Sequence, residues 1–197
     1  MKTVTPAPDT GRIDLSRQFL LAMPGRVAGE LASTVIYVCE HTEHGALGLV
    51  INRPTTLTIN DLLTRLDLPL SLEIGPVGDA PVFFGGPVQT DRGFVLHMPR
   101  GQYSSSIAIG EDVALTTSRD ILQDVAAGQG PAQLLVTLGY AGWGAGQLED
   151  ELTQNAWLNV GANSTILFET PAEDRYDAAL AQLGIRAGML SGDAGHA

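Results

Sequence analysis

The densest set of side chains able to do chemistry is the run Cys39-Glu40-His41-Thr42-Glu43-His44. Thiol, imidazole and carboxylate within six residues are the donor types of a metal site and the working groups of acid–base catalysis. A metal needs three or four converging ligands, and outside this run the only other internal imidazole is His97. The run therefore reads as a turn whose polar groups serve the backbone, with no metal and no cofactor assigned. Alternation along a strand would put Cys39 and His41 on one face and Glu40 on the other. Asn52 and Arg53 end the next apolar stretch, where a planar guanidinium could clamp a carboxylate or phosphate, or simply pair with Glu40 or Asp91. Ser104, Ser105 and Ser106 offer hydroxyl nucleophiles, but no GxSxG elbow and no identifiable base accompany them. No catalytic residue is assigned, and the balance is against an enzyme.

A second candidate spans Leu134 to Trp157, LLVTLGYAGWGAGQLEDELTQNAW. Leu134 to Tyr140 is nearly all apolar, which predicts a strand covered on both faces. Gly139, Gly142, Gly144 and Gly146 follow, with Tyr140 and Trp143 among them, and predict a sharp, crowded turn. Leu148, Leu152 and Ala156 then recur every four residues as a helix stripe, while Glu149, Asp150 and Glu151 complement the positive end of its dipole. Nucleotide sites begin at such strand-to-helix junctions. Here Gln147 stands where GxGxxG needs glycine, no GKS or GKT follows, and three carboxylates repel phosphate. Trp143 and Trp157 suit a core or an interface anchor. Glu40, His41, Asn52, Arg53, His97 and Trp143, set around this junction, form the candidate ligand or partner surface.

The elements that must position these residues are short. Phe19 to Met23 predicts a strand, and Ser33 to Glu40 with Ala46 to Arg53 predict a hairpin across HTEHG that Pro54 ends. Thr58 with Asp61 opens a helix bearing Ile59, Leu62, Leu63 and Leu66. Leu70 to Ala80 reads mostly as loop. Pro81 to Phe84 and Gly93 to His97 read as strands, and Tyr103 to Thr116 as one strand or two. Thr117 with Asp120 opens a second helix carrying Ile121, Leu122 and Val125, with Gly128 at its C-terminal end. Thr165 to Phe168 predicts a strand. Tyr176, Ala179, Leu180 and Leu183 predict a last helix ended by Gly184. About eight short strands and about four helices, without regular βαβ alternation, predict an α+β domain.

A chain of 197 residues with no linker or repeat fits one domain, placed over 16–190 between a flexible N-terminal tail, 1–15, and a C-terminal tail, 191–197. The net charge of -11 and a single lysine, Lys2, disfavour direct contact with a nucleic-acid backbone. An acidic surface suits a basic protein partner. Cys39 alone permits no internal disulfide, and no stretch reads as a signal core or a membrane span, so a cytoplasmic protein is expected.

The runs FLLAMPG, YVCEHTEHGALGLVINRP, FFGGPVQTDRGFVLHMP, LTTSRDIL, GYAGWGAGQLEDEL and NAWL, with the terminal GHA, resemble the YqgE/AlgH family of bacterial proteins over nearly the whole chain from Phe19. Tyr103 and Tyr176 stand where relatives often carry tryptophan. The resemblance implies an α+β domain with a coiled, bifurcating sheet, no established enzyme activity, and a label of transcriptional regulator that stems from a genetic link of one branch to alginate production. Three expectations follow in order: a non-enzymatic regulatory or adaptor protein working through a protein partner, a small-ligand binder or enzyme using the candidate surface, and a direct DNA-binding regulator.

Overall fold

Twelve residues of extended backbone, Gln133–Gly144, form the strand on which the architecture turns in the computed structural model, which describes residues 13–190. In chain order the strands are β1 (Gln18–Ala22), β2 (Val35–Thr42), β3 (Gly45–Val50), β4 (Pro54–Thr58), β5 (Pro81–Phe84), β6 (Val88–Met98), β7 (Ser106–Ile109), β8 (Val113–Thr116), β9 (Gln133–Gly144) and β10 (Trp157–Gly161). The helices are α1 (Ile59–Arg65), α2 (Arg119–Ala126), α3 (Gln147–Thr153) and α4 (Arg175–Ala181). The sheet order is β10-β1-β2-β3-β9-β6-β8-β7, with β4 and β5 as a side branch.

The branching happens along β9. Its first half pairs β6 antiparallel on one edge, while Thr137 and Leu138 pair β5 in parallel on the other. From Ala141 to Gly144 that second edge takes β3 instead. Gly139 sits at the fork with φ +77°, and a Cβ there would lie 2.3 Å from the Gly86 carbonyl oxygen. Only glycine lets the backbones approach this closely. The sheet is therefore coiled and mixed, and the fold is α+β, as the sequence predicts.

Alternation along the strands divides the core by face. Phe19, Leu21 and Leu49 from one half of the sheet meet Phe94, Leu96 and Leu115 from the other, and Leu167 and Leu180 close the gap. On the outer face of the first half, α3 brings Leu148 against Ile36, Trp143 and Trp157. On the outer face of the second half, α1 and α2 bring Ile59, Leu63, Ile121 and Val125 against Val82, Val95 and Val136. Burial on both faces explains why β9 reads as continuous apolar sequence.

Local signals hold where the structure is local. Thr58 and Asp61 form both halves of the capping box, with bonds of 3.1 and 3.0 Å. Gly128 and Gly184 follow α2 and α4 with positive φ. Elsewhere tertiary pairing changes the outcome. The four-glycine turn is strand over most of its length: β9 runs through Gly139, Gly142 and Gly144, with Gly139 admitting the Gly86 backbone and Gly142 the Tyr140 ring, and the turn is confined to Ala145 and Gly146, whose φ of +76° precedes α3. Thr165 to Phe168 is not a strand but one π-helical turn, Thr165–Glu169, which lets the consecutive Ile166 and Leu167 both enter the same core. The strand of that region is β10, paired to β1. Pro54 opens β4 against Phe83 rather than only ending β3. Ser118 takes the N-cap position of α2 in place of Thr117, its hydroxyl donating to the Asp120 carboxylate and not capping a backbone N–H of the helix, and Leu72–Asp79 forms 3-10 turns within the expected loop. Residues 1–12 and 191–197 of the expected tails lie outside the described residues, and Leu15, at the boundary, is buried.

Candidate functional site

The hairpin β2–β3 carries a bulge at Cys39. Val38 pairs with Gly48 and Glu40 already pairs with Leu47, so Cys39 is the extra residue. A bulge re-aims the side chains beyond it. Cys39 packs in the inner core, Glu40 and Thr42 share the Leu47 face, and His41 turns to the Ala46 and Trp143 face. The alternation expected for Cys39, Glu40 and His41 is thus shifted by one residue.

On the Glu40 face lies an open groove of about 450 Å³. Leu47, Gly142 and Tyr140 make its floor, Val88 one wall, and Glu40, Thr42 and His44 its polar rim. Leu47 stands opposite Gly142 in the β3–β9 pairing, and the Tyr140 ring lies over that glycine, 3.1 Å from where a Cβ would be. Tyr140 is braced by the Phe94 ring, edge-on at 5.4 Å, and stays half-buried. His44 pairs with Glu43 at 3.5 Å, both well exposed.

The opposite face of the same strands is occupied by α3. Its Glu151 accepts through one oxygen from both indole N–H groups, Trp143 at 2.9 Å and Trp157 at 2.7 Å, while Gln147 donates to the other at 3.0 Å. The two rings meet edge-to-face at 5.9 Å. Gln147 also accepts from the Gly144 backbone, fixing the start of the helix. His41, its side chain 1% exposed, contacts Glu149 through Nε2 at 2.9 Å, and its Nδ1 accepts from the Leu15 backbone at 3.2 Å. That acceptor role places the imidazole proton on Nε2. The acidic first turns of α3 therefore serve to dock the helix.

A family model described as AlgH-like, DUF179, matches residues 19–188. The chain belongs to the AlgH-like family. A UPF0301 protein of Bordetella petrii is 69% identical over 191 residues, spanning 97% of this chain and 94% of the relative. One of Paraburkholderia phymatum is 56% identical over 187 residues, spanning 94% and 97%. The solution structure of the AlgH protein from Pseudomonas aeruginosa matches with a TM-score of 0.76 and 46% identity over 100% of both chains. A crystal structure from Corynebacterium diphtheriae shares the fold at a TM-score of 0.68 and 14% identity, over 87% and 88% of the two chains.

The remaining candidate residues of this AlgH-like chain are dispersed. Asn52 spans the neighbouring loop, accepting from Val35 N at 2.8 Å and donating to Ser33 O at 3.0 Å. Arg53 donates to the Ala32 carbonyl. His97 is fully buried in the other half of the sheet, with Nδ1 on the Pro99 carbonyl at 3.0 Å and Nε2 on Thr116 Oγ1 at 2.8 Å. A carbonyl partner requires Nδ1–H, so Thr116 donates to Nε2 and accepts in turn from Ser106 at 2.7 Å. Burial lowers the His97 pKa and pushes the Cys39 thiol far above its ordinary range. Ser104 donates twice to Asp120, whose pKa is lowered chiefly by the Ser118 hydroxyl. The six candidates thus divide between the groove rim, the α3 dock, the 31–33 loop and the buried His97 chain. Leu47, Tyr140 and Gly142 were not among them. The signal for Leu47 is an apolar residue on the rim side of a hairpin, readable only once the bulge is known. Among the described residues no helix is long and apolar enough to cross a membrane, and no three His, Cys, Asp or Glu side chains group to hold a metal.

Proposed function

We propose that this AlgH-like chain is a cytoplasmic, non-enzymatic regulatory adaptor that receives a segment of a partner protein in the groove over Leu47, Tyr140 and Gly142. The observation that carries the proposal is asymmetry: the β2–β3–β9 ribbon has α3 packed on one face and an open, apolar-floored groove on the other. Solvent-facing apolar surface with a polar rim is the anatomy of a docking site. The partner segment brings an apolar side chain against Leu47 and the Tyr140 ring and a basic flank to Glu40, in keeping with a net charge of -11. Any effect on transcription, as the family resemblance implies, is exercised through that partner, since 22 acidic against 11 basic residues oppose contact with duplex phosphate. Groups that would activate a substrate are otherwise engaged: the Cys39 thiol is buried and protonated, and His41, His97 and Asp120 are held in internal hydrogen bonds.

Photo-crosslinking in cells tests this. A photoreactive residue replacing Leu47 is expected to yield a discrete protein adduct that is absent when the same residue replaces Leu72, an exposed position on the α1–α2 side. Equal labelling at both positions, or none at Leu47, removes the groove from the account.

A further inference from the structure

The curled sheet brings its two ends near each other, and the seam between them is not filled. Arg17 and Ala162 border it from the β1–β10 end, the β7–β8 turn at Gly110 to Asp112 from the other, and the cavity between measures about 370 Å³. That is within the range of small-molecule sites. Two features of its lining are unusual.

Tyr37 forms the floor. It is only 3% exposed, yet its hydroxyl has no hydrogen-bond partner among the described residues, and the cavity is the space it opens to. The hydroxyl oxygen is unpartnered but not sealed in, so it is reached through the cavity and is free to bond what enters there. Arg17 stands at the mouth in a left-handed backbone conformation, φ +62°. Both of its backbone groups are tied down, its N–H to the Val38 carbonyl at 2.9 Å and its carbonyl to Ala162 N–H at 3.1 Å. Backbone held in this region by its surroundings is a pointer to function. The Arg17 side chain reaches the β7–β8 turn, where Cδ and Nη1 would lie 3.0 and 3.5 Å from a Cβ at Gly110. The guanidinium nevertheless makes no ion pair among the described residues, although the adjoining Glu111 and Asp112 line the same cavity.

A cation and two carboxylates together at the mouth of a cavity, with a phenol on its floor, select against a phosphate, which the acids repel, and against a simple amine, which the arginine repels. We propose that the seam binds a small zwitterion of amino-acid type. Its carboxylate takes the Arg17 fork and the Tyr37 hydroxyl, its ammonium faces Glu111 and Asp112, and its apolar body lies against Met98 and Leu167. The site is separate from the groove and does not depend on it.

The twenty L-amino acids are screened against the full chain by thermal shift, and the strongest is taken to calorimetry beside its analogues lacking the amino or the carboxylate group. Saturable one-to-one binding is expected, weaker by about tenfold for each single-charge analogue and for Arg17→Gln. Tyr37→Phe, which conserves the packed ring, is expected to weaken binding roughly threefold to tenfold, the effect of one hydrogen bond. The proposal is overturned if none of the twenty binds saturably below about 10 mM, a free energy too small for a built site. It is equally overturned if affinity is unchanged in Arg17→Gln, or if either single-charge analogue binds as tightly as the amino acid.

Discussion

Replacing Glu151 by alanine removes one carboxylate oxygen that serves two buried indoles at once. Trp143 and Trp157 are 7% and 4% exposed, so neither N–H gains a full water partner in exchange. Hydrogen bonds to a charged acceptor contribute about 1.5–3 kcal/mol each, and with Glu151 at the helix surface the lower value applies, giving about 3 kcal/mol for the pair. For a domain of this size that is a fall in Tm of roughly 6–12 °C. Glu151→Gln keeps an oxygen for the indoles but sets an amide NH2 against that of Gln147, so its cost is expected to be near 1 kcal/mol, or roughly 2–4 °C. The two tryptophans are the only ones in the chain, so their fluorescence reports on this dock and nothing else. Thermal unfolding by tryptophan emission and by far-ultraviolet dichroism is expected to fall together in Glu151→Ala, with a red-shifted native spectrum. A loss below about 1 kcal/mol with an unchanged native spectrum would refute the claim that Glu151 pins α3.

Further outcomes follow from single contacts. Gly139→Ala forces a Cβ to 2.3 Å from the Gly86 oxygen at positive φ and is expected to cost more than about 3 kcal/mol in chemical denaturation, whereas Gly161→Ala, where a Cβ meets open space at ordinary strand φ, costs less than about 1. Arg175→Met leaves the Ile51 and Thr170 carbonyls without their donor and removes a cation over the Phe83 ring, for an expected loss of about 2–4 kcal/mol by the same method. His97 has a folded pKa below its ordinary 6.5, so as pH falls the unfolded chain takes the proton first. Stability contributed by neutral His97 is complete above about pH 6.5 and is lost as pH falls toward the folded value, and this part of the slope is expected to vanish in His97→Gln.

How far the sequence reveals this fold depends on the range of the interaction. The capping box of Thr58 and Asp61, the β2–β3 hairpin and the stripes of α2 and α4 are settled by residues three or four apart, and they are legible. The segment from Gly139 to Gly144 is not, because glycine signals both a turn and a close approach, and which of the two applies is set by β3, β5 and β6 from distant sequence. Thr165 to Phe168 fails for a similar reason: its apolar run satisfies a strand pattern, but the edge of β1 is already taken by β10. The six residues of the candidate surface do not meet in one place. Glu40 stands on the groove rim and Trp143 also borders the groove while its indole N–H reaches Glu151, but the bulge at Cys39 sends His41 to the α3 side. Leu47, Val88 and Tyr140 meet only through non-local pairing, so no local spacing could name them.

The measurement that bears most directly on the adaptor is quantitative capture from a bacterial lysate with the wild-type chain and with Leu47→Asp, both first shown to have the same Tm. Leu47 is half-buried at the groove floor and also packs against the inner core, so the matched Tm is what separates rejection of an apolar anchor by the charge from damage to the fold. The account predicts at least one protein retained by the wild type, released by added salt, and depleted about tenfold or more with Leu47→Asp. Equal capture by both chains would contradict it.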